Sequence, residues 1–215
     1  MNSDLFTKMN LLLSSRKIFK NWYLYPMVYF KLTKNKHVIF ETKSGQKIKI
    51  RVNSTDLMAL THVWLIQEYH HDGFNIETND IIIDVGAHIG LFALYASQFC
   101  KNGKIICYEP IKENYDLLLE NIKQNKIYNI ITYKYTVSRK SSTVKIYLNE
   151  DESGHSMFLE NKNFVTVNSI SLSDIFQENN IATCDFLKLD CEGTEYEIIN
   201  SLKNSIFLFG KKINK

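Results

Sequence analysis

The sequence predicts an open α/β fold in which a parallel β-sheet carries helices on both faces. From residue 80 onward, short apolar runs alternate with segments of helical spacing. The run Ile81–Val85 is apolar at every position except 84, which suits a strand buried on both sides. A turn with two glycines, residues 86–90, follows this run and precedes a helical segment. Ligands of such sheets bind beyond the carboxyl ends of the strands, so the turn marks the predicted site.

The predicted core spans residues 78–209. The predicted strands are 81–85, 104–108, 130–135, 185–189 and 206–209, and helices are predicted at 91–99 and 111–122. Further helix starts are predicted at Ser171–Asp174 and Thr194–Glu197, which have the Ser/Thr-x-x-acid pattern of a capping box. Residues 143–148 and 164–168 predict an inserted hairpin, which occupies about residues 143–168.

Residues 1–36 form a basic, aromatic N-terminal extension. The single acid Asp4 is accompanied by seven cations: Lys8, Arg16, Lys17, Lys20, Lys31, Lys34 and Lys36. The extension allows two interpretations: a patch that contacts a membrane surface or an acidic substrate, or a helical lid whose aromatic residues cover the core. Residues 37–52 then predict a hairpin and residues 55–71 a helix. We predict that residues 37–215 form a single domain.

The strongest candidate site is the segment Asp84-Val85-Gly86-Ala87-His88-Ile89-Gly90. Gly86 lets the main chain approach a ligand closely, and Gly90 lets a helix begin near the strand. Main-chain N–H groups at the start of the following helix are expected to point toward a ligand, which makes Ala87 and His88 candidate cofactor contacts, while Asp84 is placed to accept hydrogen bonds from a cationic amino group. The G-x-G-x-x-G pattern of nicotinamide-binding turns is excluded because position 88 is histidine.

Polar residues at the ends of the other predicted strands point to the same edge of the sheet. Glu109 follows the second strand, where a carboxylate can accept both hydroxyl groups of a ribose. Thr136 follows the third strand and is expected to line the same site. Asp190 and Glu192 follow the fourth strand, just before Gly193 and a predicted helix. The turn and these four residues together predict a nucleotide-like cofactor site.

Three longer runs give the sequence a specific resemblance. The runs IIDVGAHIGLFALYAS, CYEPIKENYDLLLENIKQN and LKLDCEGTEYEIINSL resemble the FkbM family of methyltransferases, over roughly residues 37–205. The resemblance implies a Rossmann-like class I methyltransferase that uses S-adenosyl-L-methionine and methylates oxygen, often on glycans or natural products. It also implies that Asp84, Gly86 and Gly90 form the turn around the methionine end of the cofactor, and that Glu109 binds the ribose. The family commonly has asparagine at the position of His88.

The resemblance also sets an expectation for the C-terminus. A class I methyltransferase sheet usually has seven strands, and only Gly210–Lys215 follow the last predicted strand. We therefore expect the last two strands to be missing. An open apolar sheet edge favours association, so a homo-oligomer is one expected consequence.

Transfer of a methyl group to a hydroxyl needs a base within about 3 Å of that hydroxyl. Asp190 and Glu192 are the first candidates, although contacts to the cofactor or substrate and helix capping are alternative roles for them. His155, in the polar segment of the inserted hairpin, is the next candidate. We predict no metal site, because His70 and His71 are adjacent on a helix and have no evident third ligand.

Two other classes of function compete with this interpretation. A nucleic-acid methyltransferase acting on exocyclic nitrogens often carries an N/D-P-P-Y/F motif, and here prolines occur only at positions 26 and 110. The net charge of +3 also does not indicate a polyanion partner for the whole chain. The second rival is a truncated or degenerate module that binds the cofactor without turnover, which the short C-terminus favours.

The sequence gives a coarse expectation for location and partners. No export signal is recognisable, and the apolar stretch 22–30 is interrupted by Pro26. The four cysteines form no Cys-x-x-Cys pair, so reduced thiols and a cytoplasmic protein are expected. The predicted partners are a small-molecule or glycan acceptor, with peripheral membrane contact through the N-terminus as an open alternative.

Overall fold

The computed structural model describes residues 3–69, 75–147, 164–190, 195, 198–199 and 208–214. The helices are α1 Ser3–Ile18, α2 Leu24–Tyr29, α3 Asp56–Leu60, α4 Leu91–Ala96, α5 Lys112–Asn125 and α6 Leu172–Glu178, with a π-helix at Thr61–Ile66. The strands are β1 His37–Glu41, β2 Lys47–Arg51, β3 Ile81–Val85, β4 Lys104–Tyr108, β5 Ile130–Tyr133, β6 Thr136–Val137, β7 Ser142–Tyr147, β8 Phe164–Ile170, β9 Thr183–Leu189 and β10 Leu208–Asn214.

The central sheet contains five parallel strands in the order β10-β9-β3-β4-β5. Along β3 the side chains alternate between the two faces, as the two-residue repeat of a strand requires. Ile82 packs with α4 and α5, whereas Ile83 packs with α6. The predicted parallel α/β sheet with helices on both faces is confirmed.

The strand order places a topological switch point beside β3. The chain runs from β3 to β4 and β5 on one side, then returns to β9 on the other side of β3. Connections that leave neighbouring strands in opposite directions open a crevice between them, where ligands of such sheets bind. The strand ends at Val85 and Leu189 are paired at this point, and the Asp190 N–H donates to the Val85 carbonyl at 3.1 Å.

The inserted hairpin is confirmed with slightly different bounds. Strands β7 and β8 are antiparallel, and β6 pairs in parallel with β8 to complete a three-stranded sheet. The predicted third strand, 130–135, is too long, because β5 ends at Tyr133 where its pairing with Tyr108 ends. Thr136 instead pairs with Ser169 of the smaller sheet. Residues 148–163 lie outside the described part of the chain.

Two further bounds differ from the expected ones. The helix predicted at 91–99 ends at Ala96, and the Ser97 hydroxyl donates to the Leu94 carbonyl, which competes with the regular helical pattern. The last strand was predicted at 206–209, with only a short tail after it, but β10 continues to Asn214. An irregularity between Phe209 and Lys212 shifts the register, and this lets the strand continue its pairing with β9.

The predicted N-terminal hairpin is confirmed as the antiparallel pair β1 and β2. Its inward side chains Phe40, Ile48 and Ile50 form one buried cluster with Phe19 and Trp64. The Asn121 side chain of α5 fastens this cluster to the main fold. Its Oδ1 accepts the Lys49 N–H at 2.8 Å, and its Nδ2 donates to the carbonyl groups of Lys49 and Ile89 at 3.0 and 2.9 Å. The hairpin is therefore tied both to α5 and to the turn that follows β3.

The capping box predicted at Ser171 is confirmed, since the Ser171 hydroxyl accepts the Asp174 N–H at 3.2 Å. The second predicted capping box, at Thr194, lies outside the described residues. Within the described ranges, no helix combines the length and the hydrophobicity that a membrane crossing requires.

Candidate functional site

A cleft of about 420 Å³ opens at the carboxyl ends of the parallel strands. Clefts that bind small ligands have volumes of roughly 300–1,000 Å³. Strand ends and the turns after them contribute Val85, Gly86, Ala87, His88, Tyr108, Glu109, Pro110, Thr136, Lys188 and Asp190. The N-terminal segment contributes Thr55, Met58, Ala59, His62, Val63, Glu68 and Tyr69. The cleft is thus built jointly by the central sheet and by the segment that precedes it.

Two glycines give the turn after β3 its shape. Gly86 has φ 75°, and a Cβ there would lie 2.0 Å from the Asp190 carbonyl oxygen. Gly90 has φ 86°, and a Cβ there would lie 2.5 Å from Leu118 Cδ1. Left-handed backbone and a close approach both exclude ordinary side chains at these positions. The turn therefore packs directly on the end of β9 on one side and on α5 on the other.

A buried ion pair lies beneath this turn. The Lys188 ammonium donates to Asp84 Oδ1 at 3.0 Å and to the Gly86 carbonyl at 3.1 Å, and it lies 3.6 Å from Asp190 Oδ2. Burial alone would lower the pKa of Lys188, but Asp84, Tyr69 and Asp190 together outweigh it and raise the pKa. The lysine therefore remains charged and holds the turn against β3 and β9.

Glu109 is buried at the end of β4, and its carboxylate fixes two main-chain segments. Oε2 accepts the His88 N–H at 2.8 Å, while Oε1 accepts the Ile111 N–H at 3.0 Å and the Asn114 amide at 3.4 Å. Burial raises the pKa of Glu109 to about 7, against the opposing effect of these N–H donors. The carboxyl group therefore changes its charge near neutral pH.

This raised pKa makes the stability of the protein depend on pH. The folded protein holds the Glu109 proton more tightly than an unfolded chain does, so the stabilisation is complete below about pH 4.5 and is lost as the pH rises through about 7. Relative to Glu109→Gln, the wild-type free energy of unfolding should fall by about 2–3 kcal/mol between about pH 5 and about pH 8. Urea unfolding of both proteins across this range measures the difference, and parallel pH curves would contradict it.

His88 belongs to a polar cluster that links the turn to the N-terminal segment. The Arg51 guanidinium donates to both Asp56 oxygens, at 3.0 and 2.8 Å, and to Asn114 Oδ1 at 2.8 Å. His88 Nε2 lies 3.2 Å from Arg51 Nη2 and 3.4 Å from Asp56 Oδ1. Burial lowers the pKa of His88 to about 4, so its ring is neutral at pH 7. The cluster connects β2 and α3 to the turn and to α5.

Two side-chain contacts involve the N-terminal residues that line the cleft, one between aromatic rings and one between a histidine and a glutamate. The Tyr69 ring lies 4.6 Å from the Phe92 ring, and burial raises the pKa of Tyr69. His62 Nδ1 lies 2.9 Å from Glu68 Oε2. The π-helix ends at Ile66, and the left-handed φ of 56° at Gln67 turns the chain and brings Glu68 back toward His62. Helices of this rare type are frequent at functional sites.

The structure brings together most of the residues predicted from the sequence. Those that line the cleft are Gly86, Ala87, His88, Glu109, Thr136 and Asp190. Asp84 and Gly90 are not among the lining residues, because Asp84 is fully buried against Lys188 and Gly90 packs on Leu118. Glu192 and His155 lie outside the described residues, as do His70 and His71, so their predicted roles stay predictions.

Sequence reasoning missed Lys188, Arg51 and Asp56. Lys188 carried a usable signal, because a lysine inside an apolar strand must be paired if it is buried. Arg51 and Asp56 carried none, since an arginine in a hairpin and an aspartate at the start of a helix are ordinary surface residues in a sequence. Their meeting with His88 depends on how the hairpin packs on α5.

Comparison with known proteins identifies the family. The profile of the family described as "Methyltransferase FkbM domain" matches residues 84–209, which is more than half of the chain. The chain belongs to the FkbM methyltransferase domain family. The matched region begins at Asp84 and includes the turn, Glu109 and Asp190, so the FkbM domain supplies the sheet side of the cleft. The N-terminal lining residues precede it.

The individual relatives share only about a quarter of their aligned residues with this chain. The chain is 25% identical over 171 residues to the methyltransferase sdnD of Sordaria araneosa, covering 64% of this chain and 66% of that protein. It is 22% identical over 130 residues to the hexuronic acid methyltransferase AglP of Haloferax volcanii, covering 60% of this chain and 53% of that protein. The match therefore spans between half and two thirds of the length of these curated relatives.

Among solved structures, the chain is similar to the methyltransferase FkbM of Methylobacillus flagellatus KT. The TM-score is 0.46 and the sequence identity 16%, over 71% of this chain and 40% of that one.

Proposed function

We propose that this chain is an S-adenosylmethionine-dependent methyltransferase that methylates a hydroxyl group on a sugar or on another small glycan or natural-product precursor. The main support for the proposal is the cleft at the switch point, where the turn at the start of the FkbM-matched region, the buried acid Glu109 and the exposed acid Asp190 meet. One relative, from Haloferax volcanii, is named as a hexuronic acid methyltransferase, and this supports a sugar acceptor. We further propose that residues 37–215 act as one domain, in which the N-terminal segment forms part of the acceptor side.

The residues of the turn fit S-adenosylmethionine. Asp84 Oδ2 is buried beneath the turn, and within the described residues it has no hydrogen-bond partner. We propose that a shift of the turn opens this acceptor to the cationic amino group of the cofactor. Glu109 accepts three hydrogen bonds, and a carboxylate can accept about four, so it retains capacity for a ribose hydroxyl. Gly86 exposes main chain that a ligand can approach closely. We propose that these residues hold the methionine and ribose parts of the cofactor.

When bound, the cofactor supplies an activated methyl group, so this chain mainly orients the reactants and removes a proton. Asp190 is the described acid best placed for that proton, because its side chain is 65% exposed at the cleft while its main chain is fixed between β3 and β9. His62 and Glu68 line the cleft from the N-terminal segment and are positioned to bind an acceptor. Glu192 and His155 remain alternative bases.

Asp190→Asn tests the assignment of the base. The exposed carboxylate contributes little to folding, so the variant should keep its stability and its affinity for S-adenosylhomocysteine. Its turnover should fall by a factor of about 10²–10⁴, which is the usual contribution of a general base. Methyl transfer and calorimetric titration on the same preparation measure both quantities, and full turnover by the variant would exclude Asp190 as the base.

His88→Asn tests how the turn binds the cofactor. Asparagine tolerates the left-handed backbone at position 88, where φ is 52°, and the main-chain N–H that contacts Glu109 is retained. Affinity for S-adenosylhomocysteine should therefore stay within about threefold of wild type. His88→Val is the control, since a β-branched residue is strained in this backbone region and should weaken binding at least about tenfold. Equal losses in both variants would show that the imidazole itself is required.

The proposed activity is tested by transfer of a radiolabelled methyl group from S-adenosylmethionine. The acceptors to compare are neutral sugars, hexuronic acids, and a mixed DNA and RNA sample. The proposal predicts label on a sugar hydroxyl and none on nucleic acid. Label on a nucleic acid base would contradict it.

A further inference from the structure

The N-terminal segment exposes large apolar side chains within one short stretch of chain. The N-terminal aromatic surface consists of Trp22, Tyr23, Tyr29, Phe30 and Leu32, which are 38%, 54%, 42%, 58% and 69% exposed. Scattered apolar residues are normal on a protein surface, whereas a cluster indicates an interaction site. The predicted lid, with aromatic residues covering the core, is therefore right only in part: Phe19 and Tyr25 are buried.

This exposure is a consequence of the fold. Helix α2 buries Tyr25 and Val28 and so turns its other face to solvent. It ends in a Schellman turn, in which Lys31 has a left-handed φ of 54° and the Leu32 N–H donates to the Met27 carbonyl at 2.7 Å. The turn fixes the direction of Leu32 and of the lysine beside it, so the surface is held in place by its own helix.

The charges around this surface have one sign. Residues 5–40 contain seven cations and no aspartate or glutamate. Among the cations whose exposure the structure describes, the exposed ones are Arg16, Lys17, Lys20, Lys31, Lys34 and Lys36. The Arg16 guanidinium lies 5.9 Å from the centre of the Trp22 ring, which places a charge at the edge of the aromatic cluster. Glu41 neutralises Lys20 through an ion pair, so the excess charge belongs to the other cations.

The aromatic rings and lysines of this surface together indicate what kind of partner it binds. A second copy of the chain would bring this cationic face against itself, and like charges disfavour that contact. Tryptophan and tyrosine rings favour the boundary between the lipid tails and the headgroups of a bilayer, and flanking lysines are attracted to anionic lipid headgroups. We propose that the N-terminal aromatic surface binds peripherally to a bilayer that contains anionic lipids. This inference does not depend on methyl transfer, because lipid binding is measured without cofactor or acceptor.

The full chain is tested by co-sedimentation with vesicles of phosphatidylcholine, with and without phosphatidylserine. Binding should require phosphatidylserine and should weaken at least about tenfold when the salt concentration rises from about 0.1 M to about 1 M, because the screening length falls from about 10 to about 3 Å. Equal sedimentation with both vesicle types would overturn the role of the cations. No sedimentation with either would overturn the proposal.

Two matched pairs of lysine substitutions test whether vesicle binding depends on this surface or only on the net charge of the protein. Lys31→Gln/Lys34→Gln should weaken binding to phosphatidylserine vesicles about 25-fold, at about fivefold for each lysine. Lys123→Gln/Lys126→Gln is the control, because the two pairs have the same local geometry. Lys31 and Lys126 both have a left-handed backbone at the end of a helix, and each has an exposed lysine three residues away. The control should bind like wild type. Equal losses in both pairs would mean that only net charge matters and would overturn the assigned surface.

The aromatic contribution has its own control. Tyr23→Ser/Phe30→Ser should weaken vesicle binding at least about tenfold through loss of apolar area, whereas Tyr128→Ser, at a site that is 90% exposed on another surface, should have no effect.

Trp22 is exposed and the only other tryptophan, Trp64, is buried. Tryptophan emission should therefore shift to shorter wavelength on phosphatidylserine vesicles, and Trp22→Phe should abolish the shift. A shift that persists in Trp22→Phe, or dimerisation through this face in place of lipid binding, would overturn the proposal.

Discussion

Lys188→Met is expected to lower the free energy of unfolding by about 3–5 kcal/mol, because it leaves the fully buried Asp84 carboxylate without its counter-charge. The Gly86 carbonyl loses its donor in the same change. Urea unfolding at neutral pH measures the loss. Lys101→Met is the matched control, since Lys101 is exposed and, among the described residues, donates to the Ser97 carbonyl at a helix end, and it should cost no more than about 0.5 kcal/mol.

A double-mutant cycle identifies the ion pair as the cause. Asp84→Asn combined with Lys188→Met removes both charges, so the double variant should be less destabilised than the sum of the single variants. Lowering the pH should also recover part of the stability of Lys188→Met. Burial raises the pKa of Asp84, so the folded variant takes up a proton more readily than the unfolded chain. Strict additivity together with no recovery at low pH would contradict the pairing.

Gly86→Ala is expected to abolish measurable binding of S-adenosylhomocysteine, a loss of at least about 100-fold. A Cβ at this position would lie 2.0 Å from the Asp190 carbonyl oxygen, so the end of β9 must move and the cleft must change shape. Calorimetric titration measures the loss, and circular dichroism confirms that the variant is folded.

Gly45→Ala is the control for backbone strain. Gly45 has φ 96°, also in the left-handed region, but a Cβ there would have no atom within 4 Å. The substitution should cost about 1 kcal/mol of stability and leave binding unchanged. If both alanine variants bound S-adenosylhomocysteine equally, the close contact between Gly86 and Asp190 would not be what shapes the site.

The parts of the fold that could be predicted are those that local patterns determine. The apolar run of β3 and the paired glycines after it gave the switch point, because strand burial and left-handed turns leave direct traces in a sequence. The capping box at Ser171 located α6 for the same reason. These features place the cleft before any coordinates are known.

The parts that could not be predicted depend on contacts between distant segments. Lys188 and Asp84 are far apart in the sequence, and only the pairing of β9 with β3 brings them together. Arg51 reaches His88 because the hairpin packs on α5, through hydrogen bonds that include those of Asn121 and Asn125. The end of β10 was misplaced because Gly210 interrupts the apolar run, whereas the backbone pairing of the strand with β9 continues past the irregularity that contains this glycine. The sheet side of the site was accessible from the sequence, and the N-terminal side was not.

The most direct test of the proposed cofactor site is calorimetric titration of the full chain with three ligands. S-adenosylhomocysteine carries the amino-acid group, 5′-methylthioadenosine lacks it, and NAD has a pyrophosphate in its place. We expect micromolar affinity for S-adenosylhomocysteine and no binding of NAD. Binding of 5′-methylthioadenosine should be at least about tenfold weaker, because it lacks the amino-acid group that we assign to Asp84. A folded protein that bound NAD, or that bound none of the three, would contradict the assignment of the cleft.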